Sequence, residues 1–253
     1  MYPRLLLLTP LLFSACDLFN QGRDLIGDLT NPLVTQALVL GVTPPADASS
    51  VEMPDEFSEG AGATIFLADA GNVADLENAP IGGATVTLQG VDAPELQAGA
   101  YAISPGPLSY EANADWTLSV DLDGDVATAV VSLPPPASPD LPSLHSENTP
   151  IELDLTADEY DGVLVVVVDF NGDITYDSRP ADIREVYDLA RGGPVTTVEI
   201  PATAFPAAGA YAVGVAGLRT TTGRDDIEGM NTVLTTMMAG QMVFEPIGVG
   251  EPG

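Results

Sequence analysis

From about residue 36 onward, apolar and polar positions alternate with a period near two over short runs. That is the signature of strands with one buried face. Segments 37–42, 63–69, 84–90, 101–104, 115–122 and 126–133 carry this texture in the first half of the chain. Segments 151–155, 162–170, 173–178, 195–201, 210–217, 231–237 and 241–247 carry it in the second. Gly, Pro, Asn and Asp separate the runs, as turns between antiparallel strands require. The spacing predicts an antiparallel sandwich, once in each half. One stretch departs from the period. Ile183, Val186, Tyr187 and Ala190 recur at helical spacing and predict a single short helix, ended by Gly192-Gly193-Pro194.

A proline-rich joint lies between the halves. Pro134, Pro135, Pro136, Pro139, Pro142 and Pro150 each lack a ladder donor, which predicts an extended spacer without a central strand. His145 falls inside it and reads as a solvated linker residue. The boundaries that follow are 1–15, 16–35, 36–134, 135–150 and 151–250: a leader, a tether, a first sandwich, the joint and a second sandwich. Ala-Gly-Ala-Tyr-Ala occurs at 98–102 and again at 208–212, an offset close to the length of one such domain.

In VEIPATAFPAAGAYAVGVAG, residues 198–217, a strand ends at Ile200-Pro201 and Gly209 and Tyr211 open the next. This resembles the corner before the penultimate strand of fibronectin type III domains, over residues 138–247. The resemblance implies a buried Tyr211 whose hydroxyl bonds to the backbone of the preceding corner. The early strand IELDL departs from it, with Leu153 and Leu155 but no tryptophan. The first half, through PIGGATVTLQG, AGAYAI and LSYEANADWTLSV, resembles the prealbumin-like modules of carboxypeptidase accessory domains. Trp116, on an alternating strand, is expected in that domain's core. The fold class expected is all-β: two tandem immunoglobulin-like or fibronectin type III-like antiparallel sandwiches.

The first residues have another character. Arg4 precedes an apolar run of residues 5–13, followed by Ser14-Ala15 and the only cysteine, Cys16. The run is far short of the roughly 20 residues that cross a bilayer as a helix, and it reads as an export signal. Small residues directly before a cysteine resemble the lipobox of bacterial lipoproteins. That resemblance implies cleavage before Cys16, acylation of its thiol and a membrane anchor. The expected location is the cell envelope, facing the periplasm or the exterior.

Composition narrows the chemistry. The formal net charge is −30, and all seven basic residues are Arg. Such a chain is repelled by nucleic-acid phosphate, which argues against a nucleic-acid partner. Without lysine there is no Schiff base and no P-loop. One histidine cannot build a His-rich zinc site, and an acylated Cys16 leaves no thiol nucleophile.

Two acidic clusters invite a calcium reading: Asp121, Asp123 and Asp125, and Asp169, Asn171 and Asp173. Oxygen ligands at alternate positions suit calcium, but an EF-hand loop also needs Gly at its sixth position and Glu at its twelfth. Here those positions hold Val126 and Ser132, or Ile174 and Pro180. Both clusters lie between strands, where Asp, Asn and Gly make turns, and Asn171-Gly172 is the pair that a type I′ hairpin prefers. Calcium is therefore the one cofactor left open. Paired carboxylates for glycoside hydrolysis exist in number, but few aromatics accompany them to stack a sugar. The reading is a non-catalytic, lipid-anchored envelope protein that binds a protein or polysaccharide partner. A calcium-dependent adhesion module is its rival, and a carboxylate-based hydrolase trails.

Overall fold

The computed structural model describes residues 31–46, 51–155, 160–221 and 226–250. Cys16 and the leader lie outside these residues. Strands of the first half are β1 (Leu33–Thr43), β2 (Gly60–Asp69), β3 (Thr85–Leu88), β4 (Val91–Asp92), β5 (Glu95–Gln97), β6 (Ala100–Leu108), β7 (Asp115–Leu122) and β8 (Asp125–Ser132). The second half supplies β9 (Leu144–His145), β10 (Ile151–Asp154), β11 (Gly162–Asp169), β12 (Ile174–Asp177), β13 (Thr197–Ile200), β14 (Gly209–Thr220), β15 (Ile227–Glu228) and β16 (Thr236–Val249). The helix α1 runs Ile183–Ala190, where the spacing predicts it. Asp182 caps it by accepting from the backbone N–H groups of Arg184 and Glu185.

One nine-stranded sheet, ordered β12-β11-β14-β16-β1-β2-β6-β5 with β9 added beside β16, runs through the molecule. Its inner face packs on two smaller sheets. The five-stranded sheet β15-β8-β7-β3-β4 covers one half and the pair β10-β13 covers the other. Each contact encloses its own core. Trp116, Leu118, Tyr101, Ile65 and Val39 fill the first. Tyr211, Phe205, Ile200, Leu153 and Val167 fill the second. The fold is thus all-β, with two immunoglobulin-like sandwiches in tandem, as the alternation requires.

The two sandwiches share the long sheet, which strand patterning does not reveal. β16 pairs antiparallel with β14 and also in parallel with β1, from Gln36 opposite Thr236 to Thr43 opposite Val243. Met237 and Ala239 of β16, together with Ile227 and Met230, lie in the first core although they come from the second half. Of the segments 231–237 and 241–247, expected as separate strands, the first is a turn up to residue 235, and its last two residues run on with the second in the single strand β16 (Thr236–Val249). Gly240 sits at the junction: a Cβ there would stand 2.6 Å from Leu218 and 2.7 Å from the Gly217 carbonyl oxygen. A glycine lets β16 pass this point unbroken against β14.

β1 is buried on both sides, which explains its nearly continuous apolar run. Ala37 and Val39 face the first core, while Leu38 and Val42 face outward. The strand also starts at Leu33, inside the stretch expected as a tether. On the outer face, Leu38, Val42, Met238, Met242, Phe244 and Val166 are covered by α1 and by a strap over residues 51–58, through Val186, Val51 and Phe57.

The proline-rich joint is not a free spacer. Ala137 and Leu141 pack into the second core, and β9 pairs in parallel with the end of β16. His145 is correspondingly not a solvated linker residue. Its ring meets Phe205 edge to face at 5.1 Å, and its Nε2 lies 2.8 Å from the Thr149 carbonyl oxygen. Proline suits this segment because an edge strand needs fewer donors.

Candidate functional site

The acidic clusters form turns. Asp123 and Gly124 are both in the left-handed region, with φ of 56° and 95°, and close a two-residue hairpin between β7 and β8. The Asp121 carboxylate accepts the Gly124 N–H at 2.9 Å. The Asp169 cluster differs from the type I′ turn expected of Asn171-Gly172, since only Gly172 has positive φ, at 83°. The loop has three residues instead, with Gly172 N–H donating to the Asp169 carbonyl and Asp169 N–H to that of Asp173. Asp169 Oδ1 accepts from the backbone of both Asn171 and Asp173, at 2.8 and 3.0 Å. That side chain is engaged in shaping its own turn. Among the described residues no group of three His, Cys, Asp or Glu side chains is placed to hold a metal ion.

The two tyrosines of the repeated pentapeptide hold equivalent roles, one in each core. Tyr211 is buried and donates to the Ala207 carbonyl at 2.9 Å, closing the corner expected of it. Tyr101 is buried likewise, accepts from Ala84 N–H at 3.1 Å and donates to the Ile81 carbonyl at 3.3 Å. Burial raises both phenol pKa values, although the backbone bonds work against it. Trp116 lies in the first core, as expected of it.

A cleft of about 390 Å³ lies on the outer face over β1, β2 and β6. Its depth comes from a step in side-chain size. Gly62, Thr64, Ala102 and Ser104 point outward from β2 and β6, beside the larger Leu38 and Leu40 of β1. At Gly62 nothing larger fits, because a Cβ would stand 2.6 Å from the Ile103 carbonyl oxygen. The strap, through Glu56 and Phe57, and the crossover from β12 to α1, through Asp177 and Arg179, raise the wall.

Arg179 ties that wall together. Its Nε and Nη2 donate to the two oxygens of Asp177 at 3.0 and 2.6 Å, and Nη2 reaches Glu56 at 3.4 Å. The guanidinium lies over the Phe57 ring, 4.7 Å from its centre, and that ring meets Phe244 of β16 edge to face at 5.1 Å. Burial alone would lower the Arg179 pKa. Hydrogen bonds and charge from Asp177 and Glu56 outweigh it, so the value stands above that of a free guanidinium. Along the strap and just past it, Glu52, Asp55, Glu56 and Glu59 are all exposed, and of these Glu56 lines the cleft. None of these wall residues was singled out in the sequence. The contact joins residues 56 and 179, and no local periodicity marks it.

No family model matches the chain, and no curated protein matches it in sequence. Among solved structures it is similar to the tandem Ig repeats of Dlar, with a TM-score of 0.27 and 10% identity over 87% of this chain and 99% of that one. It is similar to titin A168169 with a TM-score of 0.22 and 12% identity, over 83% and 98% of the two chains. A third is the Bacteroides ovatus SGBP-B of a mixed-linkage glucan utilization locus, in complex with a heptasaccharide. That one has a TM-score of 0.20 and 8% identity, over 80% of this chain and 44% of the other. Overlays this loose carry no argument about function. The class is defined by the sheets themselves: an all-β protein of two immunoglobulin-like sandwiches.

Proposed function

We propose that the chain is a non-catalytic, lipid-anchored protein of the cell envelope that holds a protein partner in the cleft beneath the strap. Ser14-Ala15-Cys16 supports the anchor, and the Tyr211 corner supports a fibronectin type III-like second sandwich. The observation that carries the binding reading is the cleft: an aliphatic floor, walled by Glu56, Asp177 and Arg179, on a chain of net charge −30. Apolar floors take aliphatic side chains, and net negative charge draws cations. The partner that fits is an extended segment alternating aliphatic residues with Arg or Lys. A sugar is a poor match here, because the one aromatic ring at the cleft, Phe57, is buried beneath Arg179.

The test uses the mature protein and two synthetic peptides, alternating Val with Arg or Val with Glu. Fluorescence anisotropy is expected to show binding of the Arg peptide only, weakened by salt and lost in Thr64→Trp, which fills the floor. Equal binding of both peptides, or binding that survives Thr64→Trp, overturns the assignment. The anchor is tested separately, since Cys16→Ser should abolish fatty-acid labelling and release the protein from membranes.

A further inference from the structure

The charges that line the cleft are unequally engaged. Glu56, Asp177 and Arg179 are its charged side chains. Asp177 is committed through both oxygens, which accept from Arg179 Nε and Nη2, and its Oδ1 also accepts the Arg179 backbone N–H at 2.8 Å. The guanidinium so held rests on the Phe57 ring. Glu56 is not committed in this way. Arg179 reaches only its Oε2, at 3.4 and 3.5 Å, beyond the usual range of a strong N–H to oxygen bond. Among the described residues nothing donates to Glu56 Oε1, and the side chain is 48% exposed.

This asymmetry limits how many cations the cleft can take. Asp177 and Arg179 cancel, so the unspent negative charge of the lining sits on Glu56. Glu52, Asp55 and Glu59 lie outside the lining and face solvent, where water and salt weaken their pull. The first basic side chain of a partner therefore finds a free oxygen at Glu56. A second would meet the fixed charge of Arg179, which repels it. Displacing Arg179 from Asp177 is no alternative, since it gives up the paired bonds and the stack on Phe57 together.

The same geometry sets which cation fits. Arginine outbinds lysine where both oxygens of a carboxylate take its parallel N–H groups. At Glu56 one oxygen is turned to Arg179, and a single-point contact is what remains. An ammonium makes that contact as well as a guanidinium does. Beside this wall, Gly62 and Ala102 leave room for an aliphatic side chain next to Leu38 and Leu40. On the reading of the cleft as a protein-binding site, we infer that Glu56 selects the partner: a segment with one basic side chain, lysine or arginine alike, flanked by aliphatic residues.

Fluorescence anisotropy on the mature protein tests this, with short capped peptides of alternating Val and Ser that carry a central Arg, Lys or Gln. The Arg and Lys peptides should bind within about twofold of each other, and the Gln peptide about tenfold more weakly. Glu56→Gln should bring both basic peptides down to the level of the Gln peptide and leave that peptide unchanged. Its melting temperature should match the parent's, because the contact with Arg179 is long and exposed. Asp55→Asn and Glu59→Gln should bind as the parent does. The inference is overturned if the basic peptides bind Glu56→Gln as tightly as the parent, or if Asp55→Asn or Glu59→Gln weakens them equally. It is also overturned if Glu56→Gln weakens the Gln peptide, or if Arg binds about tenfold tighter than Lys. Thr64→Trp separates the two possible failures. Binding that it abolishes but Glu56→Gln spares removes the role of Glu56 alone. No binding by any peptide, or binding that survives Thr64→Trp, removes the cleft reading and this inference with it.

Discussion

Val39 and Ala239 lie opposite one another in a parallel ladder, so the last strand of the chain completes the first core. β16 is bonded to β1 on one edge and to β14 on the other. Along its length it gives Met237 and Ala239 to one sandwich and Ile247 and Val249 to the other. Neither core is complete without it.

A chain that ends at residue 235 should therefore fail to fold in both halves. In the full chain, fluorescence of Trp116, which reports the first core, should lose its native signal at the same denaturant midpoint as the far-ultraviolet circular dichroism. Separate midpoints would show that the sandwiches unfold independently despite their common strand.

Removing one phenolic oxygen should cost each core a measurable amount. Tyr211→Phe leaves the Ala207 carbonyl without its donor, and Tyr101→Phe leaves Ala84 N–H and the Ile81 carbonyl. We expect losses of about 1–3 kcal/mol in urea denaturation, larger for Tyr101→Phe because two backbone groups lose their partner. Losses within error for both would place the hydroxyls in solvent.

High pH should destabilise the fold. Burial raises the Tyr110 phenol above its ordinary value of 10.0, and its hydroxyl donates to the Pro134 carbonyl at 2.8 Å. Tyr101 and Tyr211 are raised as well. The unfolded chain releases these protons first, so the stabilisation is intact below pH ~10 and falls as pH rises toward the folded values. Stability measured between pH 9 and 12 should decline less steeply in Tyr110→Phe than in the parent (~10 being the unfolded midpoint). Equal slopes would remove Tyr110 as a source of the effect.

The strap should loosen when its arginine is lost. Arg179→Ala removes the Asp177 and Glu56 bonds and uncovers Phe57, at an expected cost of about 1 kcal/mol, modest because both carboxylates are partly exposed. Limited proteolysis should then cut within residues 51–58 sooner than in the parent. Arg179→Lys should restore only part of the protection, since an ammonium cannot bind both Asp177 oxygens in parallel. A cleavage pattern unchanged in Arg179→Ala would mean that Phe57 alone seats the strap.

By itself the sequence determined what depends on neighbours along the chain. Alternation marked nearly every long strand, the 183–190 spacing marked α1, and Asp123-Gly124 marked its hairpin, because side-chain period and turn chemistry are local properties. Tyr211 was legible through the Pro201–Gly209 corner that it closes. Tertiary structure alone decided what depends on partners far apart. Nothing near residue 240 announces that β16 will lie along β1, since both strands carry the same apolar pattern that any buried neighbour would satisfy. The cleft depends on small residues of β2 and β6 facing an arginine more than seventy positions beyond them. A pairing between distant segments is chosen by the competition of whole faces for burial, and short-range patterns carry no record of that competition.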